Sequence, residues 1–212
     1  MKNKIIIVLV YFLFINISVL PDLKSEISNK IVVKVGNELV TSIDVKSEII
    51  KLLVLNKQEI TQENINSNKN YAVKNLINTL IKKNEIDRFE IKTYNEVDLK
   101  KYTESVAANM DTNISGLKKI FNENGIDYNI LVEQHKTELL WNSLIFEMYK
   151  NQININMVEI ASEIEGIKEN TNNKNLKDLK KEIVNRKKND KLNLFSRSHF
   201  SNLENTVSID FQ

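Results

Sequence analysis

His135 and His199 are the only imidazoles in the chain, and it has no cysteine. Histidine is the commonest general base near neutral pH. A base needs a partner to activate, however, and neither histidine has a nearby thiol, a G-x-S-x-G elbow or an H-E-x-x-H repeat beside it. The two fall in separate predicted helices, and His135 lies close to an apolar stripe, where a packing or boundary role is expected. Without cysteine there are no disulfides or thiolate metal sites. Gly36, Gly116, Gly125 and Gly166 are too scattered to form a loop that cradles phosphate. No catalytic residue, metal set or cofactor is therefore predicted.

Two stretches could instead bind by surface chemistry. Lys180, Lys181, Arg186, Lys187, Lys188 and Lys191 form a basic cluster that could face nucleic acid or anionic lipid. Asp178, Glu182 and Asp190 interrupt it, which favours a solvated helix face. The second stretch is Trp141, Ile145, Phe146, Met148 and Tyr149, which crowd the end of a long predicted helix. Apolar residues there cover nearly every direction around the axis. Either that helix is central and buried on all sides, or these five residues line an open apolar cradle for unfolded chains, with Met148 supplying an adaptable surface.

Charge narrows the partners. The formal +2 arises near the N-terminus, since residues 1–25 contain Lys2, Lys4 and Lys24 against Asp22. The remainder is balanced, which argues against a global field built for nucleic acid. Lys2 and Lys4 precede an apolar run from Ile5 to Ile15, extended by Ile17, Val19 and Leu20 and closed by Pro21. This is the pattern of a signal peptide over residues 1–25. The run is short for a membrane span, which needs about 20 apolar residues. Ser18 and Ser25 are small, but neither sits in a good A-x-A context, so an uncleaved anchor through residues 5–20 is the alternative. Either places residues 26–212 outside the cytoplasm as one domain.

Positioning these residues requires elements that the pattern supplies in order. Ile31, Val33 and Val35 alternate with Val32 and Lys34 as a strand, Gly36-Asn37 turns, and Glu38 to Val40 completes a hairpin. Thr41 and Asp44 give a T-x-x-D cap for a first helix with Ile43, Ile49, Ile50, Leu53 and Val54 inward. Lys57 to Lys69 is polar and reads as a loop. A second helix carries Tyr71, Val73, Leu76, Ile77, Leu80, Ile81, Ile86 and Phe89. Asn95 with Asp98 caps a third, with Leu99, Tyr102, Val106 and Met110 in a stripe, and Asn113 caps a short fourth with Ile114, Leu117, Ile120 and Phe121 inward. Gly125 is placed to stop that helix in the left-handed conformation. The fifth runs from Asp127 to about Lys150. Asn156 and Glu159 open a sixth after the extended Ile153-Asn154-Ile155, Thr171 to Asn175 is a polar linker, and Leu176, Leu179, Ile183 and Val184 lie on a further helix. Thr206 to Phe211 alternates as a final strand.

This ordered series, with hairpin, capped helix, the Asn124-Gly125 joint and the extended Ile-x-Ile before a capped helix, resembles the N-terminal domain of SurA-type periplasmic chaperones. The segment from Leu176 through Leu192-Asn193-Leu194-Phe195 and Arg197 to Phe211 resembles that family's far C-terminal segment. The resemblance covers Lys30 to about Lys168 and Leu176 to Phe211, with no room for the parvulin domains that isomerise prolyl bonds in full-length relatives. It implies a mainly helical fold of about seven helices, with the N-terminal hairpin and C-terminal strand closing a small antiparallel sheet. It also implies a periplasmic, ATP-independent holdase for unfolded outer-membrane proteins or aromatic-rich peptides, without isomerase activity. The competing expectation is a membrane-tethered helical module using residues 5–20 as anchor and the basic segment from Lys177 to Lys191 to bind a fixed partner or anionic lipid.

Overall fold

The computed structural model of the chain describes residues 29–168 and 176–212. The expected signal peptide or anchor and the Thr171 to Asn175 linker lie outside the described residues. The chain begins with β1 (Ile31–Val35) and β2 (Glu38–Thr41), followed by α1 (Ser42–Leu55), α2 (Gln62–Arg88), α3 (Glu96–Asn109), α4 (Ile114–Glu123) and α5 (Tyr128–Tyr149). A single 3-10 turn leads to α6 (Met157–Lys168), and α7 (Leu176–Glu204) precedes β3 (Ile209–Phe211). Among the described residues the protein is thus a seven-helix body with one antiparallel sheet, ordered β2-β1-β3, that joins the hairpin to the last strand.

Gly36 takes the positive φ that the hairpin turn requires, at 59°. Pairing shifts register between Ile31 and Val33, so Val32 is an extra residue in β1. Such a bulge re-aims one side chain. Val32, which simple alternation would turn away from Val33 and Val35, packs instead against the same core, and Ile31 is exposed. The β1–β3 ladder sets Val35 opposite Ile209 and Val33 opposite Phe211.

The α1 cap forms as a reciprocal box. Thr41 Oγ1 accepts from the Asp44 amide while Asp44 Oδ2 accepts from the Thr41 amide at 2.8 Å. Val45, Ile49 and Leu53 fill the core beneath the sheet, and Ile43 is exposed rather than inward. The polar stretch before α2 is mostly helical, contrary to expectation. Thr61 caps α2 by accepting from the Asn64 amide, and Ile65 anchors the first turns against the core. Further along α2, Tyr71 and Phe89 are exposed, while Val73, Ile77, Ile81 and Ile86 are buried.

Each of α1 to α4 ends with the same pair of bonds. A left-handed residue donates to the carbonyl three positions back and the next residue to the carbonyl five back, as in Gln58 N–H to Leu53 O at 2.9 Å and Ile126 N–H to Phe121 O at 3.0 Å. Gly125 fills the left-handed position after α4, whereas Lys57, Glu90 and Asp111 fill it after α1, α2 and α3.

The core has connected parts. The sheet, α1 and α2 enclose one, with Phe200 and Leu203 of α7 packed against it. A second joins Val54 to Ala107, Leu117, Phe121, Ile126 and Leu131. A third holds Ile86 with Trp141, Leu144 and Ile145. Ile160 and Ile164 of α6 meet Leu179 and Ile183 of α7 in a fourth. Helix α7 touches three of these four parts because it is unbroken for roughly 43 Å at 1.5 Å per residue. No glycine or proline interrupts residues 176–204, so its polar middle remains helical. The final strand is shorter than expected, because residues 205–208 form the turn that carries the chain from α7 back to the sheet. No helix among the described residues is long and apolar enough to cross a membrane.

Candidate functional site

The five residues at the end of α5 separate. Trp141 and Ile145 are each only 2% exposed, and α7 covers them. The Trp141 indole donates from Nε1 to Ser196 Oγ at 2.8 Å and meets Phe200 edge-on at 6.1 Å. Tyr149 stacks on Phe195 with centroids 4.7 Å apart, and Met148 is half-buried in the same cluster. Phe146 alone faces outward, at 47% exposure, with the Lys150 ammonium 5.9 Å from its ring. An open cradle made of all five is therefore not formed. Four of them are the seam between α5 and α7, and Phe146 contributes only to a shallow, largely polar depression with Ile91 and Leu139.

Both histidines are packing residues with defined partners. His135 lies flat on Tyr102 at 3.5 Å, and burial lowers its pKa against the raising influence of Glu138 and Asp98. His199 joins a chain of polar contacts that no local spacing announced. Its Nε2 lies 2.9 Å from Glu85 Oε1, its Nδ1 lies 2.9 Å from the Tyr149 hydroxyl, and Arg88 grips Glu85 through Nε and Nη2 at 2.7 and 2.6 Å. Burial is the largest single influence on Glu85 and pushes its pKa up, but Arg88 and His199 together outweigh it and hold the pKa below the usual range. Residues 114 positions apart thereby tie α2, α5 and α7 at one point.

A second buried network lies between α1, α2 and α5. Glu48, fully buried, accepts from Asn75 at 2.9 Å, from Gln134 at 2.7 Å and from Lys51 at 2.8 Å, and Lys51 also donates to Gln134. Burial dominates at Lys51 and lowers its pKa, although Glu48 pulls the other way. Both networks tie helices together and act as polar clamps.

The basic cluster on α7 is partly spent inside the fold. Arg186 pairs with Glu163, Lys187 lies 3.5 Å from Glu159 and 3.6 Å from Glu163, and Lys191 donates to the Asn154 carbonyl. Half of the six cations are thus committed to holding α6 and the segment before it.

An apolar opening occurs elsewhere, under the edge of the sheet. A cavity of about 540 Å³ is lined by Val32, Val73, Ile77, Ile209 and Phe211, with Lys69, Asn70, Lys74, Asn78 and Glu204 around it. It adjoins a second of about 290 Å³, lined by Val45, Ile49, Ile50 and Ile65 with Ser42, Lys46 and Asn66; Val32 and Lys69 border both. Phe211 is 68% exposed at the rim. No family model matches the sequence, and no curated protein does. What the site can do therefore rests on its own geometry. It offers an open trough with an apolar base and Lys46, Lys69, Lys74 and Glu204 among the residues around it. The sequence did not point to it because its residues come from β1, α1, α2, α7 and β3, and because the bulge at Val32 is invisible to alternation.

Proposed function

We propose that this protein is an exported, ATP-independent chaperone of the periplasm that holds unfolded outer-membrane proteins. The observation that carries this reading is the return of β3 to pair with β1, which is the closure of chain ends that the resemblance to SurA-type chaperones implies. An apolar trough beside that closure supports it, since shape-tolerant apolar contact lets one surface serve many sequences. Clients would bind and leave by equilibrium, so no nucleotide or cofactor enters. The chain acts as a holdase and not as a prolyl isomerase.

Aggregation of a urea-denatured β-barrel protein on dilution tests this. Light scattering should fall in proportion to added chaperone at modest molar excess without ATP, and unchanged scattering would contradict the holdase role. A prolyl peptide assay should show only the spontaneous rate, and clear acceleration would contradict the assignment of no isomerase activity.

A further inference from the structure

We infer that the open edge of β3 is a strand-addition site for an extended segment that alternates apolar and polar residues and carries carboxylates at its flanks. This rests on the holdase reading and assigns it a place and a chemistry. In an antiparallel ladder, residues alternate between those whose backbone groups face the partner strand and those whose groups face away. Gly36 donates to the Ser208 carbonyl at 2.9 Å, and Gln212 donates to the Val32 carbonyl at 3.0 Å. Ser208, Asp210 and Gln212 thus spend their backbone groups on β1. Ile209 and Phe211, opposite Val35 and Val33, turn their amides and carbonyls to the open side.

The same two residues send their side chains to the trough. A fourth strand laid beside β3 would gain main-chain bonds from the edge, and its alternate side chains would enter the adjoining apolar cavity, which is how edge capture combines affinity with tolerance. The opposite edge, β2, lacks this combination because neither cavity is lined by it.

Charge selects among extended segments. Lys46, Lys69 and Lys74 stand along the trough, and among the described residues none of the three is in a salt bridge. Among the described residues Glu204 is the one acid on the lining. A client segment with aspartate or glutamate beside its apolar positions meets three available ammonium groups, and a lysine-flanked one meets repulsion.

The test measures fluorescence anisotropy of a dye-labelled seven-residue peptide with alternating Phe, Val and Thr between terminal aspartates. It should bind the full chain, and N-methylation of the amides along one edge, or replacement of the flanking aspartates by lysines, should each weaken binding at least tenfold. The double variant Lys69→Glu/Lys74→Glu should reverse the charge preference. Phe211→Pro removes an edge amide without touching the β1 ladder. It should weaken binding severalfold beyond Phe211→Ala, with circular dichroism melts showing both variants folded. If aggregation suppression persists while binding is indifferent to N-methylation and to flanking charge, the holdase reading stands and this site is wrong. If neither peptide binding nor aggregation suppression is seen, the holdase reading falls and the site falls with it.

Discussion

The end of α5 and the trough beneath β3 are both rich in apolar side chains, yet one is closed and the other open. Trp141 and Ile145 are sealed by α7, a helix from some 50 residues downstream that brings Ser196 to the indole N–H and Phe195 to the face of Tyr149. Among the described residues no helix covers the trough in this way. Its roof is a strand of three residues, and at that end of α2 the neighbouring positions are Lys69, Asn70 and Lys74. Aromatic density therefore marks a packing seam here, and exposure arises where a short edge strand fails to cover the helix beneath it.

The largest effects should come from breaking the closed side. Trp141→Ala removes a buried indole and its bond to Ser196, and should cost about 3–5 kcal/mol in urea unfolding. A cost below about 1 kcal/mol would mean that α7 does not seal this seam. Glu48→Met leaves Lys51 buried with only Gln134, and losing one member of a buried pair costs about 3–5 kcal/mol. The double variant Glu48→Met/Lys51→Met should recover most of that loss. Failure to recover would show that Asn75 and Gln134, rather than the ion pair, set the strength of this clamp.

A smaller effect follows from acidity. Because the folded state holds Glu85 below its usual pKa, its carboxylate contributes stability that is present above the ordinary glutamate range and lost as pH falls through the folded value. The stability gap between the parent protein and Glu85→Gln should therefore be constant near neutrality and narrow below about pH 4. A gap that does not change with pH would remove the charge from this account of how α7 is held. The smallest stability change belongs to the open side. Phe211→Ala should alter unfolding by no more than about 0.5 kcal/mol, and a cost comparable with that of Trp141→Ala would mean that β3 is a closed part of the core.

Much of the fold was legible because local chemistry and global packing agree. The Thr41 box, the Asn95 and Asn113 caps, the turn at Gly36 and the stop at Gly125 all form where their residues call for them. The rest was hidden for physical reasons. The start of α2 is polar because only Ile65 of its first turns reaches the core. The left-handed ends at Lys57 and Glu90 use residues that carry no such signal, and Asp111 carries only a weak one. The middle of helix α7 carries little apolar pattern because it bridges two cores and buries little of its own. The trough was least legible of all, since five elements meet there and its one local device is the extra residue at Val32.

The most direct test of the central claim is hydrogen exchange of the full chain with and without an unfolded β-barrel client. The client should protect residues 69–78 and 207–212, while residues 141–149 exchange slowly in both states and do not change. New protection at 141–149, with none along the sheet edge, would contradict the account and place the client surface on α5.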